Sequence, residues 1–183
     1  MSAAHHNLCI RLAAIDDLPR IVEIYNQSIA GKQATADLQP VSVADRQAWF
    51  DAHTGNRPLV VAQTRCETSS QNSLGEIVGW GSLSDLYARP AYHISTEISI
   101  YVAQEAKGQG VGKALVNYLI EVAPSCGVQQ VVALIFAHNT PSLAMFGKLG
   151  FEPWGKFKQV CDMNGFIAVS YTHLRAHETP EHL

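Results

Sequence analysis

What this chain lacks narrows its class. No apolar run approaches the roughly 20 residues that cross a bilayer, so no membrane partner is expected. Met1 to Asn7 has no basic start running into an apolar block, so no secretory leader is expected. Cys9, Cys66, Cys126 and Cys161 stand far apart and no two make a CxxC pair. That spacing argues against a disulfide framework or a zinc site, and fits a reducing cytoplasm. Positive charge is scarce. The net charge is −3 and there is no dense Lys/Arg stripe, so no nucleic-acid partner is expected. The eight histidines are scattered. His173 and His177 have helical spacing but no third ligand, and no metal is expected. Internal repeats are absent.

What is present describes one domain with a core: 183 residues, 47% of them apolar. Leu8 to Ala13 alternates like a strand. Asp16 or Asp17 is placed to cap a helix carrying Leu18, Ile21, Val22, Ile24 and Tyr25. Residues 30–40 read as irregular. Ser42 and Asp45 resemble a capping pair opening a second helix, Val43 to His53. Strands are expected at Leu59–Ala62, Glu76–Leu83, Thr96–Val102, Gln129–Phe136 and from Phe151. Cys66 to Ser73 reads as a loop-like hairpin end, and Ser84 to Tyr92 as a loop. Helices are expected from Val111 and from Asn139, the latter stopped by Gly150. The order implies a mixed α+β domain around one central sheet.

The densest signal is Lys107-Gly108-Gln109-Gly110-Val111-Gly112-Lys113. It joins a strand pattern to a helix pattern. Closely spaced glycines there leave backbone N–H groups bare, and the helix N-terminus adds partial positive charge. Such a turn suits a phosphate or pyrophosphate. The Walker loop fails, because Lys107 replaces its first Gly and Ala114 its hydroxyl residue. The dinucleotide fingerprint fails, because Lys113 replaces its third Gly. A glycine-rich turn without a ligand stays open on these residues alone.

Residues 107–112 also fit [Arg/Gln]-x-x-Gly-x-[Gly/Ala], with Lys107 in the first place. In this the chain resembles the GNAT-superfamily acyltransferases. Asn139-Thr-Pro-Ser-Leu-Ala-Met-Phe-Gly-Lys-Leu-Gly-Phe151 is similar to their segment in which an Asn opens a helix ending in Leu-Gly-Phe. Arg89-Pro-Ala-Tyr92, Thr96-Glu-Ile-Ser-Ile-Tyr-Val102, Ile24-Tyr-Asn26 and Trp49-Phe50 resemble the phosphinothricin N-acetyltransferase branch. The resemblance covers roughly residues 8 to 168. It implies a mostly antiparallel sheet, splayed at the strand before the glycine turn and flanked by about four helices. It also implies acetyl-CoA as co-substrate, a small-molecule amine as acceptor and a homodimer.

Roles follow from the resemblance. Acetyl transfer needs a neutral amine, hence a base. Glu97 holds the position of the family's base, and shares a strand face with Ser99 and Tyr101. A wet sheet face or an ordinary ion pair is the other reading of Glu97. Backbone groups of Ser99, Ile100, Tyr101 and Val102 would meet the pantetheine and the thioester oxygen. Lys107, Gly108, Gln109, Gly110, Val111, Gly112 and Lys113 would hold the pyrophosphate. Asn139 and Ser142 would contact the pantetheine, and Asn139 reads equally as a helix cap. Arg89, Tyr92 and Thr96 would face the acceptor, with Trp80 near them. Arg89 reads equally as a solvated loop cation. Phe146 stands where relatives have Tyr or His, and cannot protonate a thiolate. Tyr101 or water would then serve.

The last stretch departs from the pattern. Residues 169–183 are polar and resemble translated sequencing-adaptor sequence, so the domain is expected to be 1–168 with a non-native tail. The expected activity is acetyl-CoA-dependent acetylation of a small amino acid or analogue, by direct transfer. Acetylation of a protein N-terminus or lysine is a second reading. A CoA-binding module without catalysis is a third.

Overall fold

The computed structural model describes residues 8–68 and 71–176. Met1 to Asn7 and residues 177–183, including His177, lie outside them, as does the side chain of Cys66.

Local chemistry sets the helices. Helix α1 (Leu18–Ile29) buries Leu18, Ile21, Val22, Ile24, Tyr25 and Ile29 along one stripe. No side chain caps it. The expected cap is corrected because Asp17 is engaged elsewhere. Its carboxylate takes the Ala14 N–H at 2.7 Å and both arms of Arg11 at 2.6 and 2.8 Å. Pro19 lacks the donor that would need a cap at that end. Helix α2 (Val43–Asp51) does open on its capping pair. Ser42 Oγ accepts from the Asp45 N–H at 3.1 Å, and Asp45 accepts from the Ser42 N–H at 3.1 Å. Helices α3 (Val111–Val122) and α4 (Thr140–Lys148) follow later, and Gly150 ends α4's C-terminal turn at φ +83°.

Seven strands form one open sheet: β1 (Leu8–Leu12), β2 (Leu59–Thr68), β3 (Gln71–Asp85), β4 (Ser95–Val102), β5 (Gln130–Phe136), β6 (Glu152–Asp162) and β7 (Ile167–Ala176). Their order is β1-β2-β3-β4-β5-β7-β6. Only β4 and β5 run parallel; every other pair is antiparallel. Cys66 to Ser73 is the hairpin end expected, but more strand than loop: β2 and β3 stay paired out to Thr68↔Gln71. Polar sequence there carries no apolar alternation, and backbone pairing alone extends the hairpin.

Two layers cover the first half of the sheet. On one face Trp80 donates its indole N–H to the Ile21 carbonyl of α1 at 3.0 Å. On the other, α3 lies close to β3. A Cβ on Gly79 would meet Val111 at 2.9 Å, and one on Gly81 would meet Leu119 at 2.9 Å. The core between them includes Val60, Val61, Leu83, Leu115 and Leu119, all fully buried.

Residue 168, expected as the end of the domain, lies inside β7. The strand runs on to Ala176 and fills the place between β5 and β6. It pairs with β5 from Gln130↔Ala176 to Phe136↔Ser170, so no edge of β5 is left open on that side. Tyr171, Thr172 and Leu174 are competent strand formers, which is all that backbone pairing asks. His173 is thus on a strand, not a helix. Among the described residues, no helix is long and apolar enough to cross a membrane, and no three His, Cys, Asp or Glu converge as metal ligands.

Candidate active site

The site begins where β4 and β5 part. They pair only at Ser95↔Gln130, Thr96↔Val131 and Glu97↔Val132. Beyond Glu97 the backbone groups of β4 that point toward β5 have no strand partner. A cavity of about 890 Å³ occupies the gap and runs on to the glycine turn. Ser99, Ile100, Tyr101, Val102, Lys107, Gly108, Gly110, Val111, Gly112, Lys113, Asn139 and Ser142 all lie on its wall, with Glu97. Gln109 does not; its side chain turns back to the Glu105 carbonyl at 2.9 Å.

The turn is shaped for an anion. Gly108 and Gly110 have φ of +77° and +83°, which strains any side chain. Gly110 is the N-cap of α3 and brings no side-chain acceptor. The first intrahelical bond is Ala114 N–H to Gly110 O at 3.0 Å, so the N–H groups of Val111, Gly112 and Lys113 precede the ladder. Among the described residues, the N–H groups of Gly108 and Gly110 have no acceptor either. Lys107 and Lys113 are exposed beside them. Fixed donors, a helix dipole and two cations converge at one end of the cavity.

Glu97 marks the other end. It is half-buried, and loss of water pushes its carboxyl above the ordinary carboxylate range. Among the described residues it has no ion-pair partner. Ser99 and Tyr101 share its face, while Thr96, Ile98 and Ile100 look toward α3, as alternation requires. Thr96 is therefore corrected. It is fully buried on the opposite face, and its Oγ1 has no partner. Trp80 is on the Glu97 side but closed off. It stacks on Tyr101 at 4.5 Å, beneath Trp49 at 5.4 Å. Arg89 and Tyr92 also lie off the cavity wall, exposed on the β3–β4 connection, where Tyr92 packs on Tyr87 at 4.9 Å.

Tyr101 donates to the Ala34 carbonyl at 3.2 Å, and burial raises its phenol so that it stays protonated. Asn139 does cap α4, accepting from the Ser142 N–H at 3.2 Å, and its amide also donates to the Gln33 carbonyl at 3.1 Å. Phe146 is buried edge-on against Phe151 at 4.9 Å.

Three contributors escaped the sequence. Gly31 and Gln33 to Ala36 roof the cavity, from the segment between α1 and α2. Lys32 pins that segment to the β6–β7 turn through the Met163 and Asn164 carbonyls at 2.6 and 2.8 Å, and His138 holds the Lys32 carbonyl at 2.7 Å. Phe157, Val160 and Cys161 of β6 close the far wall. The one available signal was the length of the irregular stretch, since long connections in a tight domain often serve a site.

Two parting parallel strands, a glycine turn with unpaired N–H groups and a desolvated carboxylate line one cavity, an arrangement that suits an extended, phosphate-bearing ligand. Known proteins agree. Residues 21–151 match the acetyltransferase (GNAT) family, and the chain belongs to it. It is an N-acetyltransferase by family. YwnH of Bacillus subtilis (strain 168) is 40% identical over 158 residues, covering 86% of this chain and 92% of YwnH. The L-methionine sulfoximine/L-methionine sulfone acetyltransferase of Pseudomonas paraeruginosa is 36% identical, over 82% of this chain and 84% of that one. The fold matches a GNAT phosphinothricin acetyltransferase from Sinorhizobium meliloti solved with acetyl-CoA. The TM-score is 0.83 at 32% identity, over 93% of this chain and 88% of that one.

Proposed function

We propose that this enzyme moves the acetyl group of acetyl-CoA to the amino group of a small amino acid or analogue, of the phosphinothricin, methionine sulfone or sulfoximine kind, with Glu97 as general base. The observation that carries this is a half-buried carboxylate, with no ion-pair partner among the described residues, on the row where β4 and β5 part. The names of the relatives supply the acceptor class.

The residues present fit acetyl-CoA. The uncapped first turn of α3, with Gly108 and Gly110, would receive the pyrophosphate, and the unpaired edge of β4 would pair with the pantetheine. Acetyl-CoA supplies the activated acyl group. The chain's part is to hold it, keep water out and move protons. Glu97 takes a proton from the acceptor ammonium, directly or through one water. A backbone N–H on Ser99 to Val102 meets the thioester oxygen as its charge grows. Tyr101 carries a protonated hydroxyl on the wall and is the available donor to sulfur in place of Phe146. A thiol pKa near ~8.5 makes unassisted departure tolerable as well.

Transfer is direct in this reading. Cys161 lies on the wall, but no base is bonded to it among the described residues. Intersecting double-reciprocal lines would support direct transfer; parallel lines would reject it. A cytoplasmic homodimer belongs to the same proposal, with Trp154 and Ile167 as exposed apolar surface. Light scattering that gives the monomer mass of 19.9 kDa would remove the dimer.

The deciding assay is thiol release from acetyl-CoA against amino acids, methionine sulfone, methionine sulfoximine and phosphinothricin. Silence with every amine would end the small-molecule reading. Glu97→Gln should cut kcat by about 10²–10⁴ while acetyl-CoA still binds. The wild-type rate should rise with pH through a carboxyl above the ordinary Glu range, and that limb should vanish in the variant.

A further inference from the structure

The amine end of the acceptor has Glu97, but the loop expected to hold its carboxylate does not reach the cavity. Arg89 is exposed and off the wall. Another arginine, Arg46, does not line the cavity either, but a single ring, Tyr25, stands between it and Tyr101 on the wall. Arg46, on α2, lies over two aromatic rings, 4.5 Å from the Tyr25 centre and 5.4 Å from the Trp49 centre. Its Nη2 donates once, to Asp37 at 3.1 Å. Among the described residues its other four N–H groups have no acceptor, yet the side chain is only 24% exposed.

Three other half-buried arginines differ. Arg11 spends its donors on Asp17, Gln63 and the Leu12 carbonyl. Arg20 meets Glu23, Glu76, Glu105 and the Ile77 carbonyl. Arg57 meets Asp85 and two carbonyls. Arg175 likewise spends one donor, on the Leu149 carbonyl, but it lies on β7; beside Tyr25 and Tyr101, Arg46 is the one that keeps most of its fork unused. Asp37 does not depend on it, because the Tyr25 hydroxyl holds the same carboxylate oxygen at 2.6 Å.

Position points the same way. Tyr25 meets Tyr101 edge-on at 5.0 Å, and Tyr101 shares its strand face with Glu97. Glu97 and Arg46 both act electrostatically on the Tyr101 hydroxyl, with opposite signs. A base and an under-used cation thus flank one tyrosine on the cavity wall. An α-amino acid presents an ammonium and a carboxylate two bonds apart. We propose that Arg46 forms the carboxylate subsite of the acceptor, its guanidinium faces held by Tyr25 and Trp49 and its edge left for a bidentate carboxylate. This rests on the amino-acid acetyltransferase reading above. Asp37 is its internal competitor.

The test compares L-methionine sulfone with its primary amide, which keeps the amine and loses the carboxylate. Wild type should prefer the acid by about 10- to 100-fold in kcat/KM, the range for a charge-assisted bond pair. Arg46→Gln should bring that ratio close to one, chiefly through the KM of the acid. Arg46→Lys, which keeps the charge and loses the fork, should fall between and guards against a folding defect. Asp37→Asn should lower the KM of the acid. A strap that only steadies α2 would slow both acceptors alike, and that result would overturn the proposal. So would a ratio that collapses in Arg89→Gln and survives in Arg46→Gln. If wild type acetylates neither compound, the function reading fails by itself. Calorimetry then compares binding of the acid and the amide directly, and equal affinities would overturn the subsite.

Discussion

The two halves of the sheet bury polar groups differently. In β1 to β4 the inward polar groups are mostly matched. Asp17 has Arg11 and the Ala14 N–H, Gln63 has Arg11 and the Gly75 carbonyl, and Trp80 has the Ile21 carbonyl. In β5, β7 and β6 the matching fails. Gln130 Oε1, Thr172 Oγ1 and His173 Nδ1 are buried without a partner, and the only other such atom among the described residues, Thr96 Oγ1, sits at the seam. Large apolar groups are turned out there as well: Trp154, Phe157, Val160 and Ile167. Thr172 and His173 belong to residues 169–183, expected from the sequence to be a non-native tail. Strand pairing accepts almost any residue with a free N–H and C=O, whereas interior packing needs each polar atom answered. β7 therefore takes its place in the ladder and still leaves orphaned atoms beneath it.

The comparison breaks if truncations cost alike in both halves. Leu119→Ala should cost about 2–5 kcal/mol in urea unfolding, because its side chain is fully buried between α3 and β3. Phe157→Ala, at 51% exposure, should cost under about 1 kcal/mol. Equal losses would show that a partner covers β6 in solution. Next in size, Thr172→Val keeps the shape and removes an orphaned hydroxyl. A gain of about 1 kcal/mol is expected, and a loss would mean that the hydroxyl is answered by water. Recoding residues 169–176 as alternating Val, Ile and Asp extends that test to the whole strand. No gain would argue that the tail is native or harmless.

The pH test is subtler. Burial lowers the His173 pKa below its ordinary value, so the folded state resists the proton that the unfolded chain accepts. Its contribution is intact above about 6.5, the unfolded value, and is lost as pH falls through that range. His173→Leu should flatten the acid side of the stability profile. It should not abolish the slope, since burial lowers His53 in the same direction. An unchanged profile would place His173 in contact with solvent.

Much of the site was readable. Glycine spacing located the positive-φ turn before α3, the Ser42–Asp45 pair located the start of α2, and alternation sorted β4 into two faces. Thr96 is instructive, because alternation already put it with Ile98, on the far side from Glu97. The resemblance had drawn it toward the acceptor, and the structure follows the pleat. The roof from Gly31 to Ala36 was unreadable because much of what holds it is distant along the chain: Lys32 is bound by Met163, Asn164 and His138, and Ala34 by Tyr101. Arg46 was equally hidden, since nothing in its neighbours along the chain says that Tyr25 will lie beneath it.

The sequence by itself determined what short range controls: where helices start, where a positive φ is needed, and which side chains share a strand face. These depend on sterics and on hydrogen bonds across a few residues. Only the tertiary structure decided that β7 lies between β5 and β6, that β4 and β5 part after Glu97, and that Arg46 keeps donors free above Tyr25. Those outcomes depend on which distant backbones pair and on which charges packing leaves unanswered.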